Sequence, residues 1–328
     1  MESLLVKLLE GAVGGASAEI TKFLIETGVA RPPLPKSDKS YVLLCVELGH
    51  RRCKVAPVEI GVENYIISIS LPILEIVPSD PFLGEEGFEA FTKLLVTTQN
   101  NSTAKIDGLA LSLCCPTNSD KGTIDTAYSL LGWSRNIREV LHQKVGYDHI
   151  LVVNDAVAFA LGCINDGRII NNLKRPALAV TLGVGIGSSL IQKKKPFVIP
   201  YEVGNIWKVW ENGFEGNPHM LAGQGFFDWA SRETNWETEE TELNFSWRLA
   251  WIINAIREQK SEFQFDSVII GGGHSAYVDQ SEVSRNLQEP CKLSLSRSPE
   301  VSLCGAAKLW VDHFHYGQSL SDSVGSSI

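Results

Sequence analysis

The sequence predicts an α/β protein of two related lobes facing a central cleft, with mixed sheets flanked by helices. Three observations carry that prediction. First, each half of the body holds an apolar strand that runs into a short turn and a returning strand: Tyr41–His50 with Arg52–Ile60, then Ala177–Leu182 with Ser188–Gln192. In both halves an alternation of strand and helix follows. Second, His149–Gly162 passes from a β-branched, apolar run into an Ala-rich helical stretch through Asn154-Asp155. Open α/β sheets place their ligands at junctions of this kind. Third, a chain of 328 residues, 44% of them hydrophobic, can fill two cores rather than one.

Residues 1–40 read as a leader. Leu4, Leu5, Leu8 and Leu9 recur at helical spacing, and Ile20, Phe23 and Leu24 resume it after the Gly11–Gly15 break. Arg31–Lys36 holds three prolines and reads as an extended linker. Two short helices that dock on the body, or pair two copies into a homodimer, are the simplest account. The leader is too short for a winged helix-turn-helix. The smaller lobe is expected over 41–154, completed by a C-terminal helix at 303–316. The larger lobe is expected over 155–302, and a Ser- and Gly-rich tail over 317–328.

Within the body, Asn64–Ser70 extends the first two strands into an antiparallel meander. Phe88, Phe91, Leu94 and Leu95 place a helix over Gly84–Gln99. A strand at Ile106–Leu113, a loop at Cys114–Gly122, a helix at Asn136–Lys144 and the strand through Val152 follow. In the second half, Gly183–Gly187 forms a turn with few side chains. Helices are expected at Met220–Arg232 and Leu243–Glu258. A strand at Ser267–Ile270 runs into Gly271–Gly273 and a further helix, and the last helix covers Leu303–His313.

Composition excludes several classes. Net charge is −9, and the only basic run is Lys193–Lys195, a solvated hairpin tip; nucleic acid is not an expected partner. No apolar run reaches membrane-spanning length, and the start of the sequence lacks the basic and apolar segments of a secretory signal, so a cytoplasmic protein is expected. The seven cysteines form no Cys-x-x-Cys pair, which predicts reduced, buried thiols and neither disulfides nor a zinc site.

Asp155, at a strand end and a helix start, is the leading candidate for chemistry, although an isolated Asp there serves more often as a cap. Its company is an ordered series of motifs: Glu47-Leu-Gly-His-Arg51, Cys115-Pro-Thr117, Gly132-Trp133, and Asn154-Asp-Ala156 with Ala160-Leu-Gly162. Gly183-Val-Gly-Ile-Gly187, Glu202-Val-Gly-Asn205, Ile270-Gly-Gly-Gly273 and Gly305-Ala-Ala307 complete it. In order and spacing, from Tyr41 to Trp310, the series resembles the ROK family of sugar kinases, within the actin–hexokinase superfamily.

The resemblance implies a two-lobed actin-like ATPase (ribonuclease H-like) fold and an ATP-dependent kinase acting on a hexose or N-acetylhexosamine. Asp155 would take the hydroxyl proton, with Asn154 and Glu202 on the sugar. Glu47, Gly49, Gly183, Val184 and Gly185 would line the phosphates, where bulky side chains would obstruct backbone N–H groups. Gly271, Gly272 and Gly273 would admit the adenosine end of ATP; a tight strand–helix turn is the plainer reading of those three. Mg²⁺ would arrive with the nucleotide, held largely by phosphates and water.

Four departures from the family pattern matter. The first turn is Glu47-Leu-Gly-His-Arg-Arg in place of Asp-x-Gly-Gly-Thr-Lys, which puts an imidazole and a guanidinium where phosphates should approach. In a left-handed turn such side chains would cost about 1 kcal/mol. The structural-zinc cysteines are replaced in Trp210–Asn217, so no zinc is expected, and Trp207, Trp210 and Phe214 are candidates to pack that loop. The sugar-contacting His and the later Glu become Asn205 and His219. Thr117 adds bulk where a Gly is usual. Two readings follow: a sugar kinase with altered specificity, or a weakly active or inactive relative that binds a sugar or a protein partner in a regulatory role.

Overall fold

The protein is described by a computed structural model covering residues 39–63, 66–70, 74–125, 131–133, 136–165, 176–192, 197–201, 203, 208–209, 215–234, 237–259, 264–320 and 324. Expectations for the leader, Lys193–Lys195, Glu202, Gly204–Trp207 and the 210–214 loop lie outside these residues.

In the first half, β1 (Lys39–Leu48) and β2 (Arg52–Glu63) form a hairpin. On its far side β2 pairs with β3 (Ile66–Ser70) and β4 (Glu75–Pro78). After α1 (Gly84–Asn101), β5 (Gly108–Leu113) pairs parallel with β1. A small ladder of β6 (Thr117–Asn118) and β7 (Thr123–Ile124), then α2 (Ile137–Val145), leads to β8 (Ile150–Asn154), parallel to β5. The sheet order is β3-β2-β1-β5-β8, and α3 (Asp155–Asn165) leaves β8 without a loop.

The second half repeats this plan. β9 (Ala177–Leu182), β10 (Ile186–Gln192) and β11 (Phe197–Tyr201) form a meander. A ladder of β12 (Lys208–Val209) and β13 (Glu215–Gly216) precedes α4 (Pro218–Ala222), α5 (Gln224–Glu233) and α6 (Thr238–Gln259). Then β14 (Ser267–Gly271) pairs parallel with β9, and after α7 (Gln280–Arg285), β15 (Lys292–Leu295) pairs parallel with β14. The order β11-β10-β9-β14-β15 matches the first sheet strand for strand. α8 (Val301–Trp310) ends in a π turn, Val311–His315.

Alternation along the strands sends side chains to two faces, so each sheet has two apolar sides to cover. Leu44, Val46 and Leu48 meet Phe88, Phe91 and Leu95 of α1 in the first core, where Trp133 packs 4.9 Å from Phe91 and donates to the Phe82 carbonyl at 2.7 Å. Leu178, Val180 and Leu182 meet Phe245, Leu249 and Ile253 of α6 in the second. Burying one such side chain contributes about 1.5–3 kcal/mol. The inner faces are covered by α8 on the first sheet and α3 on the second, and the two helices pack on each other. Glycine makes that crossing close: a Cβ on Gly305 would lie 2.5 Å from the Gly162 nitrogen, and one on Gly162 would lie 2.7 Å from the Val301 carbonyl carbon.

Three expectations need correction. The helix predicted over Met220–Arg232 is two, α4 and α5, broken at Gly223. A Cβ there would stand 2.5 Å from the Val184 carbonyl oxygen, which instead accepts the Gln224 N–H at 2.9 Å. The helix expected after Gly273 is a 3₁₀ turn, Gly273–Tyr277, before the short α7. None of the seven cysteines is in a disulfide, and Cys114, Cys291 and Cys304 are only half-buried. No helix among the described residues is long and apolar enough to cross a membrane.

Candidate active site

Parallel strands β1, β5 and β8 end on one edge of the first sheet, as β9 and β14 do in the second. Glu47, Gly49, Asn154, Asp155, Gly183 and Gly271 lie at these carboxyl ends, where backbone groups leave the ladders. Asp155 opens α3. Its Oδ1 accepts the Ala156 N–H at 2.8 Å. Asn154 carries most of the capping: its Oδ1 accepts from Ala156 at 3.0 Å and Val157 at 3.3 Å, while its Nδ2 donates to the Cys115 carbonyl at 3.1 Å. The asparagine thus locks the helix start to the loop after β5, which orients the neighbouring carboxylate. Thr117 follows that loop, in the β6–β7 ladder.

The glycine turn between β9 and β10 approaches Asp155 closely. A Cβ on Gly187 would be 2.9 Å from the Ala156 Cβ, 2.5 Å from Thr181 Oγ1 and 3.7 Å from Asp155 Oδ1. Glycine at 187 therefore lets the start of α3 nest against the turn. Within the turn, the Gly183 N–H donates to the Gly185 carbonyl at 2.9 Å. Two further bonds come from outside it: His219 Nδ1 accepts the Ile186 N–H at 2.9 Å, and Gln224 donates to Val184. An Nδ1 that accepts carries no proton, so Nε2 does. Burial holds the His219 pKa below its ordinary value, which keeps the ring neutral.

The first turn is built differently. The Gly49 N–H donates to the Arg52 carbonyl at 3.0 Å, and the Arg51 carbonyl accepts the Ser79 N–H at 3.1 Å. Gly49 has no left-handed φ; its constraint is the Arg52 oxygen, 3.2 Å from where a Cβ would lie. Glu47 pairs across the hairpin with Lys54, Nζ to Oε1 at 2.8 Å, both side chains more than four-fifths buried. The other carboxylate oxygen, Oε2, is buried with no hydrogen-bond partner among the described residues.

Electrostatics shows which groups face one another. Although Cys114 as a whole residue is half-buried, its thiol lies deep, and that burial pushes it well up; the charges of Asp155 and, more weakly, Glu47 push the same way, so Cys114 lies within the fields of both carboxylates. Burial lowers the His274 pKa, and the Arg51 guanidinium lowers it further, while the Gly183 backbone and Asp228 act oppositely. His274, beside the third glycine turn, thus brings Arg51 of the first turn and Gly183 of the second into one neighbourhood. In that third turn Gly272 has φ 89°, and a Cβ on it would lie 2.7 Å from the Leu182 nitrogen. Gly271 makes room for the Phe159 ring, and nothing lies within 4 Å of a Cβ placed on Gly273.

The structure thus brings together Glu47, Gly49, Asn154, Asp155, Gly183, Val184, Gly185, His219 and Gly271–Gly273; Glu202 and Asn205 lie outside the described residues. Lys54, Cys114, Gln224 and His274 were not foreseen. The one sequence signal for Lys54 was its place opposite Glu47 in a two-strand hairpin. Among the described residues no three metal-ligating side chains converge.

No protein-family model and no curated protein sequence matches this chain. Solved structures do. An inorganic polyphosphate/ATP-glucomannokinase from Arthrobacter sp. strain KM superposes with TM-score 0.61 at 19% identity, covering 83% of this chain and 99% of that one. A ROK family glucokinase from Streptomyces griseus, in complex with glucose and AMPPNP, gives TM-score 0.61 at 14% identity over 82% and 98%. A ROK family transcriptional regulator, a homologue of the E. coli MLC protein, gives 0.58 at 15% over 86% and 80%. Together with the repeated sheet order and the α3–α8 crossing, these likenesses establish that the chain has the actin-like α/β fold of the ROK sugar kinases.

Proposed function

We propose that the protein is an ATP-dependent carbohydrate kinase acting on a hexose or N-acetylhexosamine. The observation that most supports this is the seating of Asp155 against the glycine turn, with Oδ1 3.7 Å from a Cβ position on Gly187. Phosphoryl transfer needs positioning, charge neutralisation and a group to take the hydroxyl proton. In this reading Asp155 takes that proton. Asn154 uses its remaining amide capacity on the sugar, with Glu202, Asn205 and Thr117 completing that side. The glycines of the second turn let phosphate oxygens approach the backbone, and Gly271–Gly273 admit the adenosine. A nucleotide-borne Mg²⁺ would neutralise phosphate charge when bound; the buried Oε2 of Glu47, which has no hydrogen-bond partner among the described residues, is a donor that fits it.

The test is ADP release from MgATP across glucose, mannose, fructose and the N-acetylhexosamines. Activity with at least one sugar is expected, and Asp155→Asn should lower kcat by about 10²–10⁴-fold. No ADP above the Asp155→Asn background with any sugar would sink the proposal.

A second reading, a sugar-binding regulator that no longer transfers phosphate, is favoured by one feature. The first turn spends the Gly49 N–H on Arg52 and holds Glu47 on Lys54. It predicts thermal stabilisation by a sugar, about 2.7 kcal/mol at 100 times the dissociation constant, and none by millimolar MgATP.

A further inference from the structure

We infer that His219 is a positioning residue for the glycine turn between β9 and β10, fixing the turn through the Ile186 N–H rather than reading the sugar. This goes beyond the kinase proposal and rests on it only for the identity of the turn's ligand. The resemblance to the family puts a sugar-contacting carboxylate at residue 219, and a carboxylate has only acceptors to offer. The imidazole here spends its acceptor on the turn, Nδ1 to the Ile186 nitrogen at 2.9 Å, and keeps a single donor at Nε2.

Three surrounding features hold that arrangement. Gly185 leaves the ring its space: a Cβ there would lie 2.7 Å from Nδ1 and 2.9 Å from Cε1. The backbone of His219 is fixed in α4, which starts with Pro218, is capped by the Asn217 side chain on the Met220 N–H at 3.2 Å, and ends with the Gly223 N–H on the His219 carbonyl at 3.1 Å. The same break at Gly223 delivers the Gln224 N–H to the Val184 carbonyl at 2.9 Å. One helix–glycine–helix segment therefore grips the turn at both Val184 and Ile186, once by backbone and once by side chain. A turn with glycine at 183, 185 and 187 has little preference of its own, so its shape depends on this grip.

Two isosteric substitutions separate the roles. In His219→Asn the amide oxygen takes the place of Nδ1 and can still accept from Ile186; in His219→Gln the amide nitrogen takes the place of Nε2 and that acceptor is lost. Binding of MgAMPPNP to the full-length protein is measured by calorimetry. Asn is expected within about twofold of wild type and Gln weaker by about tenfold, the scale of one buried N–H left unpaired. The opposite order, or equal loss in both, overturns the inference. Should wild type bind no MgAMPPNP, the kinase proposal fails, and long-range ¹H–¹⁵N spectra of the wild-type imidazoles decide the role of His219. A protonated Nε2 with an accepting Nδ1 supports the positioning role, and a protonated Nδ1 overturns it.

Discussion

The β1–β2 turn and the β9–β10 turn occupy the same place in two sheets of identical strand order, yet they hold their shapes by opposite means. The first is rich in side chains and holds itself, by Gly49 on Arg52, Lys54 on Glu47 and one bond from nearby Ser79. The second has almost no side chains and is held from a distance by His219 and Gln224. A backbone stripped of side chains can be approached by a ligand, but glycine also gives it the most conformational entropy to lose. Approachability therefore needs a brace from elsewhere in the fold, and α4–α5 supplies it. The first turn carries its own ion pair and needs no such brace.

The contrast can be broken by experiment. Its largest expected effect comes from filling the second turn. Gly187→Val would drive side-chain atoms into Thr181 and Ala156 and push Asp155 off the turn; a misplacement of about 1 Å costs on the order of 10²-fold in rate. Phosphorylation at a near-normal rate in this variant would show that the carboxylate and the turn do not act together.

Smaller in scale is the first turn's ion pair. Lys54→Met leaves the Glu47 carboxylate more than four-fifths buried without its partner, and about 2 kcal/mol of stability should be lost in urea unfolding. A change below about 0.5 kcal/mol would mean that the pair does not hold the turn.

The mildest expectation concerns pH. Burial lowers the pKa of both His219 and His274 in the folded state, so below the ordinary histidine value of about 6.5 the unfolded chain binds more protons than the native one. Stability should be complete above that pH and fall as pH drops from about 6.5 towards the folded-state values. Asp228 and Arg51 face His274 with opposite effects, and Asp155 lies near the turn that His219 supports. Removing the guanidinium with Arg51→Ala should raise the His274 pKa in an NMR titration; an unchanged value would separate the two turns.

Much of the fold was legible in the sequence. The meander of β1–β3, α1 with Phe88, Phe91 and Leu95 on one face, and the β8–α3 junction all announce themselves through strong apolar periodicity. What escaped were the two-residue ladders β6–β7 and β12–β13, and β4, β11 and β15, short strands of which β11 and β15 lie at sheet edges and β4 is mostly exposed, so burial leaves little pattern on them. The break at Gly223 leaves no local signal within Met220–Arg232, because its cause, the Val184 carbonyl, lies nearly forty residues away in sequence. Asp155 stands out in the sequence through its strand–helix junction taken together with the ordered motifs around it. The capping duty of Asn154 and the bond from Ile186 to His219 depend on tertiary geometry, and no spacing rule reports them.

One further consequence attaches to Gly162 and Gly305, where α3 and α8 touch backbone to backbone. Their motifs, Ala-Leu-Gly and Gly-Ala-Ala, sit among the signatures that look catalytic, but their task is mechanical. Any protein that kept this architecture, whatever its chemistry, would need both glycines, since any side chain there would force the two inner helices apart. These two motifs thus serve the scaffold, whereas the kinase reading proposed above rests on Asp155 and the two hairpin turns.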